Sequence, residues 1–211
     1  MRLLRNLAIC AVALGLAAPG PAASQMRDQE GAAAFARLEA ACSARLEAEA
    51  LRPLASRFPF SPRATPTPAM LASEDKPSAR ERAALRAYAT IVEDCNRQWG
   101  EVYDRFTTPA HAANFRATAL QRSILLVQLH NGLLSFGAYN RERVRQAEEL
   151  LATMTRLHEA VASGNAEAVQ RVVDSAQKRH EEALQRQKEL QQPQGKAARC
   201  QPIGAFAYCE D

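Results

Sequence analysis

Between residues 85 and 106, Leu85, Tyr88, Val92, Cys95, Trp99, Val102 and Phe106 recur at alternating spacings of three and four. Such a run places every member on one stripe of a helix, and that stripe needs neighbouring helices to cover it. A strand cannot use the pattern, because its side chains change face at every residue. The run follows the clearest helix start in the chain, where Ser78 and Glu81 form a capping box directly behind Pro77. Thr108 and Pro109 stop it and open the next helix, as N-cap and first-turn proline.

The remaining chain reads the same way. A first helix is predicted from about Asp28 to Leu51, with Phe35, Leu38, Cys42 and Leu46 on one stripe and Pro53 as its end. The third runs from about Pro109 to Phe136, with Gly137 as terminator, and its Ile124 to Val127 stretch is apolar on every side. Asn140 is placed to cap a fourth helix whose seam is Val144, Ala147, Leu151, Met154 and Val161. Ser163-Gly164-Asn165 breaks it, and a fifth helix continues to about Gln191 on Val169, Val172, Val173, Ala176 and Leu184. No segment alternates as a strand should. The expected fold is all-α, an antiparallel bundle of about five helices, since short breaks favour antiparallel neighbours. Prolines 53, 59, 62, 66, 68 and 77 keep residues 52–77 out of regular helix. The segment still holds Leu54, Phe58, Phe60, Met70 and Leu71, so it is expected to lie as a strap along the bundle.

The N-terminus reads as a secretory signal peptide over residues 1–24. Arg2 and Arg5 precede the apolar run Leu7 to Ala18, Pro19-Gly20-Pro21 breaks it, and Ala22-Ala23-Ser24 offers a cleavage site. The run is too short to span a bilayer, which needs roughly 20 apolar residues. Cys10 follows Ile9, where a lipoprotein signal wants a small residue. A periplasmic or secreted protein is expected, with no transmembrane segment after cleavage, a helical domain over 25–192 and a tail over 193–211. The 27 Lys and Arg, less Arg2 and Arg5, exceed the 23 Asp and Glu by only two. Charges of both signs are interspersed, so nucleic-acid binding, which calls for a basic face, is not expected. The excess of Arg over Lys reads as the codon bias of a GC-rich genome.

Cys42, Cys95, Cys200 and Cys209 remain after cleavage. An even number in an oxidising compartment implies two disulfides with three possible connectivities. Cys42 and Cys95 both lie on apolar stripes, and their pairing would pin the first helix to the second across the strap. Cys200 and Cys209 would then close a C-terminal loop, Gln201 to Tyr208. Loop closure gives about 4 kcal/mol for the first bridge and about 2.5 for the second. Ala69-Met70-Leu71-Ala72, Lys76-Pro77-Ser78, Glu81-Arg82-Ala83-Ala84 and Cys95 resemble a scattered group of uncharacterised exported helical bacterial proteins. The resemblance covers about residues 42–95. It implies a cysteine pair and a helical fold and carries no activity.

Catalytic patterns fail one after another. His158-Glu159 and His180-Glu181 begin like zinc-protease helices, but Ala162 and Leu184 stand where the second His belongs. The residues three before His111, His130, His158 and His180 are Thr108, Val127, Thr155 and Gln177, none the Glu of a di-iron site. There is no C-x-x-C, no C-x-x-C-H and no G-x-S-x-G, and Gly195-Lys196 lacks a phosphate-binding glycine loop. Non-covalent haem would fall to Met26 and His180, and Met26 sits too near the cleavage site to be held. No cofactor and no enzymatic activity are expected. One metal arrangement survives on paper: with turns near residues 138 and 164, His130, Glu148 and His180 would share one layer of the bundle. The tethered loop, with Ile203, Phe206 and Tyr208, is the other candidate, a rigid surface for a partner. The expected role is contact with another envelope protein or self-association, with small-ligand or metal binding at the His130 layer as the alternative.

Overall fold

Proline at the first position of a helix loses no hydrogen bond, since that N–H has no partner in the helix. Pro68 uses this freedom. The computed structural model describes residues 21–61, 64–191, 199–203 and 206–210, with side chains described only within 28–191. In it, Thr67 caps a short helix, α2 (Pro68–Ala72), by accepting from the Met70 N–H at 3.2 Å. A 3₁₀ turn (Glu49–Leu54) accommodates Pro53 upstream. Residues 52–77 are therefore not wholly without helix, because Pro68 falls at a first helical position and Pro53 in a 3₁₀ turn.

The long helices are α1 (Pro21–Arg45), α3 (Ala79–Phe106), α4 (Pro109–His130), α5 (Phe136–Ala162) and α6 (Ala166–Gln191). The Ser78–Glu81 capping box opens α3, and Thr108 caps α4 with Pro109 behind it. Gly164, at φ +67°, and Asn165, accepting from the Ala168 N–H at 3.0 Å, separate α5 from α6. Among the described residues the regular structure is all helical apart from a short antiparallel ribbon, β1 (Arg199–Ile203) with β2 (Phe206–Glu210), which lies against α6. The segment expected as a disulfide-closed loop holds this two-stranded pairing, and its register sets Cys200 opposite Cys209. No helix among the described residues is long and apolar enough to cross a membrane.

The boundary between α4 and α5 departs from the sequence reading. Helix α4 ends at His130, Gly132 takes a positive φ of 67°, and Ser135 caps α5 by accepting from the Ala138 N–H. Gly137 and Asn140, expected as terminator and cap, lie inside α5. The cause is tertiary. The Phe136 and Gly137 N–H groups donate to the carbonyls of Asp75 (2.9 Å) and Ser73 (2.8 Å), which supply the partners that a first helical turn lacks. Nearby, the buried Asn140 amide donates to the carbonyls of Arg57 and Met70, and Arg143 donates to that of Pro59. The proline-rich segment, which has few hydrogen bonds of its own, is held on α5 through its carbonyls.

Two apolar clusters hold the helices. In the larger, Phe58 is fully buried, with edge-on contacts to Phe60, Tyr88 and Tyr139, and Leu51, Leu54, Leu85, Leu129 and Phe136 around it. In the smaller, Leu38, Cys42 and Cys95 join α1 to α3 beside Trp99 and Val102. Cys42 and Cys95 form a disulfide with their Cα atoms 6.0 Å apart. Phe35 meets Tyr103 edge-on, and Tyr103 stacks on Phe115 at 4.6 Å, carrying the contact from α1 through α3 to α4. Helix α4 is buried on most sides, and Ala176 and Ala183 let α6 approach it closely.

Two outcomes follow. A methyl group at Gly137 would collide with the Ser73 carbonyl oxygen and lie 2.7 Å from that of Leu71. Gly137→Ala is therefore expected to cost about 2 kcal/mol or more in urea unfolding, since main chain cannot yield as a side-chain tip does; an unchanged midpoint would place the segment elsewhere. Reducing Cys42–Cys95, whose sulfurs close 53 residues of chain, should lower unfolding free energy by about 4 kcal/mol. Unfolding with and without reductant, with Cys200 and Cys209 both changed to Ser, isolates that bridge.

Candidate functional site

The proposed metal layer does not assemble. His130 ends α4 rather than lying level with the middle of α5, because the turn falls at residues 131–135 instead of near 138. Glu148 stands twelve residues into α5 from Phe136, about 18 Å along the axis. The His130 ring is buried, with Nδ1 3.0 Å from Asn131 Oδ1 and Nε2 3.4 Å from an Arg86 nitrogen, a cation where a metal would have to sit. Glu148 is exposed, and His180 keeps Nδ1 buried without a hydrogen-bond partner. No three His, Cys, Asp or Glu side chains gather to hold a metal among the described residues. The side chains of Met26, Ile203, Phe206 and Tyr208 fall outside those described, as do residues 1–20 of the expected signal peptide over 1–24.

Two features that sequence reasoning missed stand out. The first is the distal part of α5 and α6. Between residues 147 and 176 only Leu157, Ala160 and Ala176 are buried. Leu151 is 70% exposed and Val161 42%, although both belong to the seam read from the sequence. Periodicity told that this stripe is apolar and could not tell whether the chain itself covers it.

The second is an open groove of about 380 Å³ between α4, α5 and α6, floored by Ile124, Leu125 and Ala183. Glu142, Arg145, Gln146, Arg179 and Arg186 line it. Arg145 is bound on both sides, to Glu142 and to Glu149 at 2.7 Å, and these carboxylates push its guanidinium further up. Glu142 is held below the usual carboxylate range, first by Arg145, and so remains an acceptor. Arg179 donates to Oδ1 of the fully buried Asn114 at 2.6 Å, while burial pushes its guanidinium down. The Asn114 amide also reaches the Met154 sulfur at 3.4 Å, so one side chain ties α4 to both α5 and α6.

Electrostatics elsewhere favour structure over chemistry. Burial alone would raise the Glu81 carboxyl. The Ser78 N–H, the Ser78 hydroxyl and the Arg57 guanidinium outweigh it and hold the group below its ordinary value. His111, whose Nδ1 lies 2.7 Å from the Thr108 hydroxyl, is pushed down by burial and then by His158. No family model, curated protein or solved structure matches this chain.

A depressed carboxyl stabilises the fold fully above its unfolded value, here 4.5, and loses that contribution as pH falls through the folded one. Urea midpoints followed from about pH 6 to pH 3 should therefore fall, and Glu81→Gln should flatten part of that slope. An identical slope in the variant would remove Glu81 from the acid response.

Proposed function

We propose that this is an exported, non-enzymatic protein of the cell envelope that acts by contact with another protein. The observation that carries the reading is the thinly packed distal part of α5 and α6, where a predicted apolar seam lies open at Leu151 and Val161. Single exposed apolar residues are ordinary. Two on one seam, flanked by Val144, Ala147 and Met154, form a stripe of the kind that another helix covers. In this reading residues 1–24 are a cleaved signal peptide. The long helices form an antiparallel bundle with the proline-rich segment as its strap. Cys200–Cys209 is a second disulfide, consistent with their opposed register. The closed terminal hairpin, with Ile203, Phe206 and Tyr208, is a second contact surface.

A photo-reactive residue at position 151, introduced in cells, should give one discrete adduct, either a second copy of the chain or one other protein. The same residue at the exposed position of Lys178 on α6 should give none. Val161→Ser should reduce the adduct severalfold without changing helicity by circular dichroism. No adduct at 151, or equal adducts at both positions, would overturn the contact reading.

A further inference from the structure

We propose that the groove between α4, α5 and α6 binds a small carboxylate that also bears an N–H group, an amino acid or short peptide, with Gln146 accepting from the N–H and Arg179 and Arg186 holding the carboxylate. The argument starts at Gln146. Its side chain lines the groove yet is only 7% exposed, and its Oε1 is buried without a hydrogen-bond partner. Its Nε2 donates to Glu142 Oε1 at 3.2 Å, which fixes the orientation of the amide. Turning the group over would set its carbonyl against a carboxylate. A buried carbonyl in that position calls for a donor, and no side chain within the described residues provides one.

The charged groups of the groove divide into those already satisfied and those not. Arg145 is occupied by Glu142 and Glu149. Arg179 gives hydrogen bonds to Asn114 and to the Ser175 carbonyl but forms no ion pair among the described residues, and Arg186 forms none either. Two guanidinium groups facing one cavity suit a carboxylate, which accepts their forked N–H groups. A phosphate would bring a second negative charge toward Glu142 and Glu182, which line the same groove. A single carboxylate carrying an N–H meets the two guanidinium groups that lack an ion pair among the described residues, together with the unpartnered acceptor. The volume of about 380 Å³ lies in the range of small-molecule sites. Ile124, Leu125 and Ala183 supply an apolar floor for the body of the ligand. Neither Leu151 nor Val161 lines the groove, so this site stands or falls independently of the contact surface.

Calorimetric titration of the full oxidised chain with L-glutamine, N-acetylglycine and L-alanyl-L-alanine tests it, with C-terminally amidated dialanine and inorganic phosphate as comparisons. Saturable binding of at least one of the three is expected, weakened about tenfold or more by Arg186→Gln, a change at an exposed position. Gln146→Leu should weaken it comparably, and amidating the dipeptide should remove most of its affinity. Binding by none of the three overturns the proposal. So does binding that ignores both Arg186→Gln and amidation, or phosphate that competes as well as the amino compounds, which would mark a general anion site.

Discussion

The first turn of α5 rests on two main-chain carbonyls from the proline-rich segment, and most of the architecture depends on that junction. A helix start leaves N–H groups without partners, and here Asp75, Ser73 and the Ser135 hydroxyl take three of them. This fixes where α5 begins, and so which of its faces meets Phe58 and which meets α6. Because the rotation per residue is 100°, a start shifted by one residue would turn Gln146 and Arg145 away from their present neighbours. Gly137 makes the close approach possible, and Asn140, one turn on, ties the same helix to Arg57 and Met70.

Features governed by neighbours in sequence were readable in advance. Ser78 with Glu81, Thr108 with Pro109, and Gly164 with Asn165 are local devices, and each lies where the pattern placed it. The stripe from Leu85 to Phe106 is buried or half-buried at every position. The start of α5 was not readable, because its hydrogen-bond partners lie some sixty residues upstream. The His130 layer failed for the same reason, since its arithmetic inherited a misplaced turn. Exposure of Leu151 and the unmet acceptor on Gln146 depend on what surrounds a helix, and periodicity is silent on that.

Arginine is used here in ways that overall composition hides. The balance of charge looks featureless, and the preference for Arg over Lys reads as genomic bias. Yet Arg57 joins Glu81 and Asp75 while lying over the Phe136 ring, and Arg143 lies over Phe58 and Tyr139 while donating to Pro59. Arg82 and Arg141 also donate to main-chain carbonyls, those of Pro77 and Leu71. A planar guanidinium can cover an aromatic face and satisfy an oxygen at its edge simultaneously, which an ammonium does poorly. Prolines leave carbonyls without ladder partners, and a set of arginines answers them.

The bond between Cys42 and Cys95 encloses the proline-rich segment in a covalent ring whose members all precede α4, α5 and α6 in the chain. In the exported reading the chain crosses the membrane N-terminus first, so both sulfurs reach an oxidising compartment ahead of the C-terminal half. The carbonyls that receive the start of α5 belong to that ring. The molecule can thus be built as a template followed by a docking reaction. A bond formed in that order removes the loop entropy of the irregular segment early, and the later helices then meet a partner whose shape has already been narrowed.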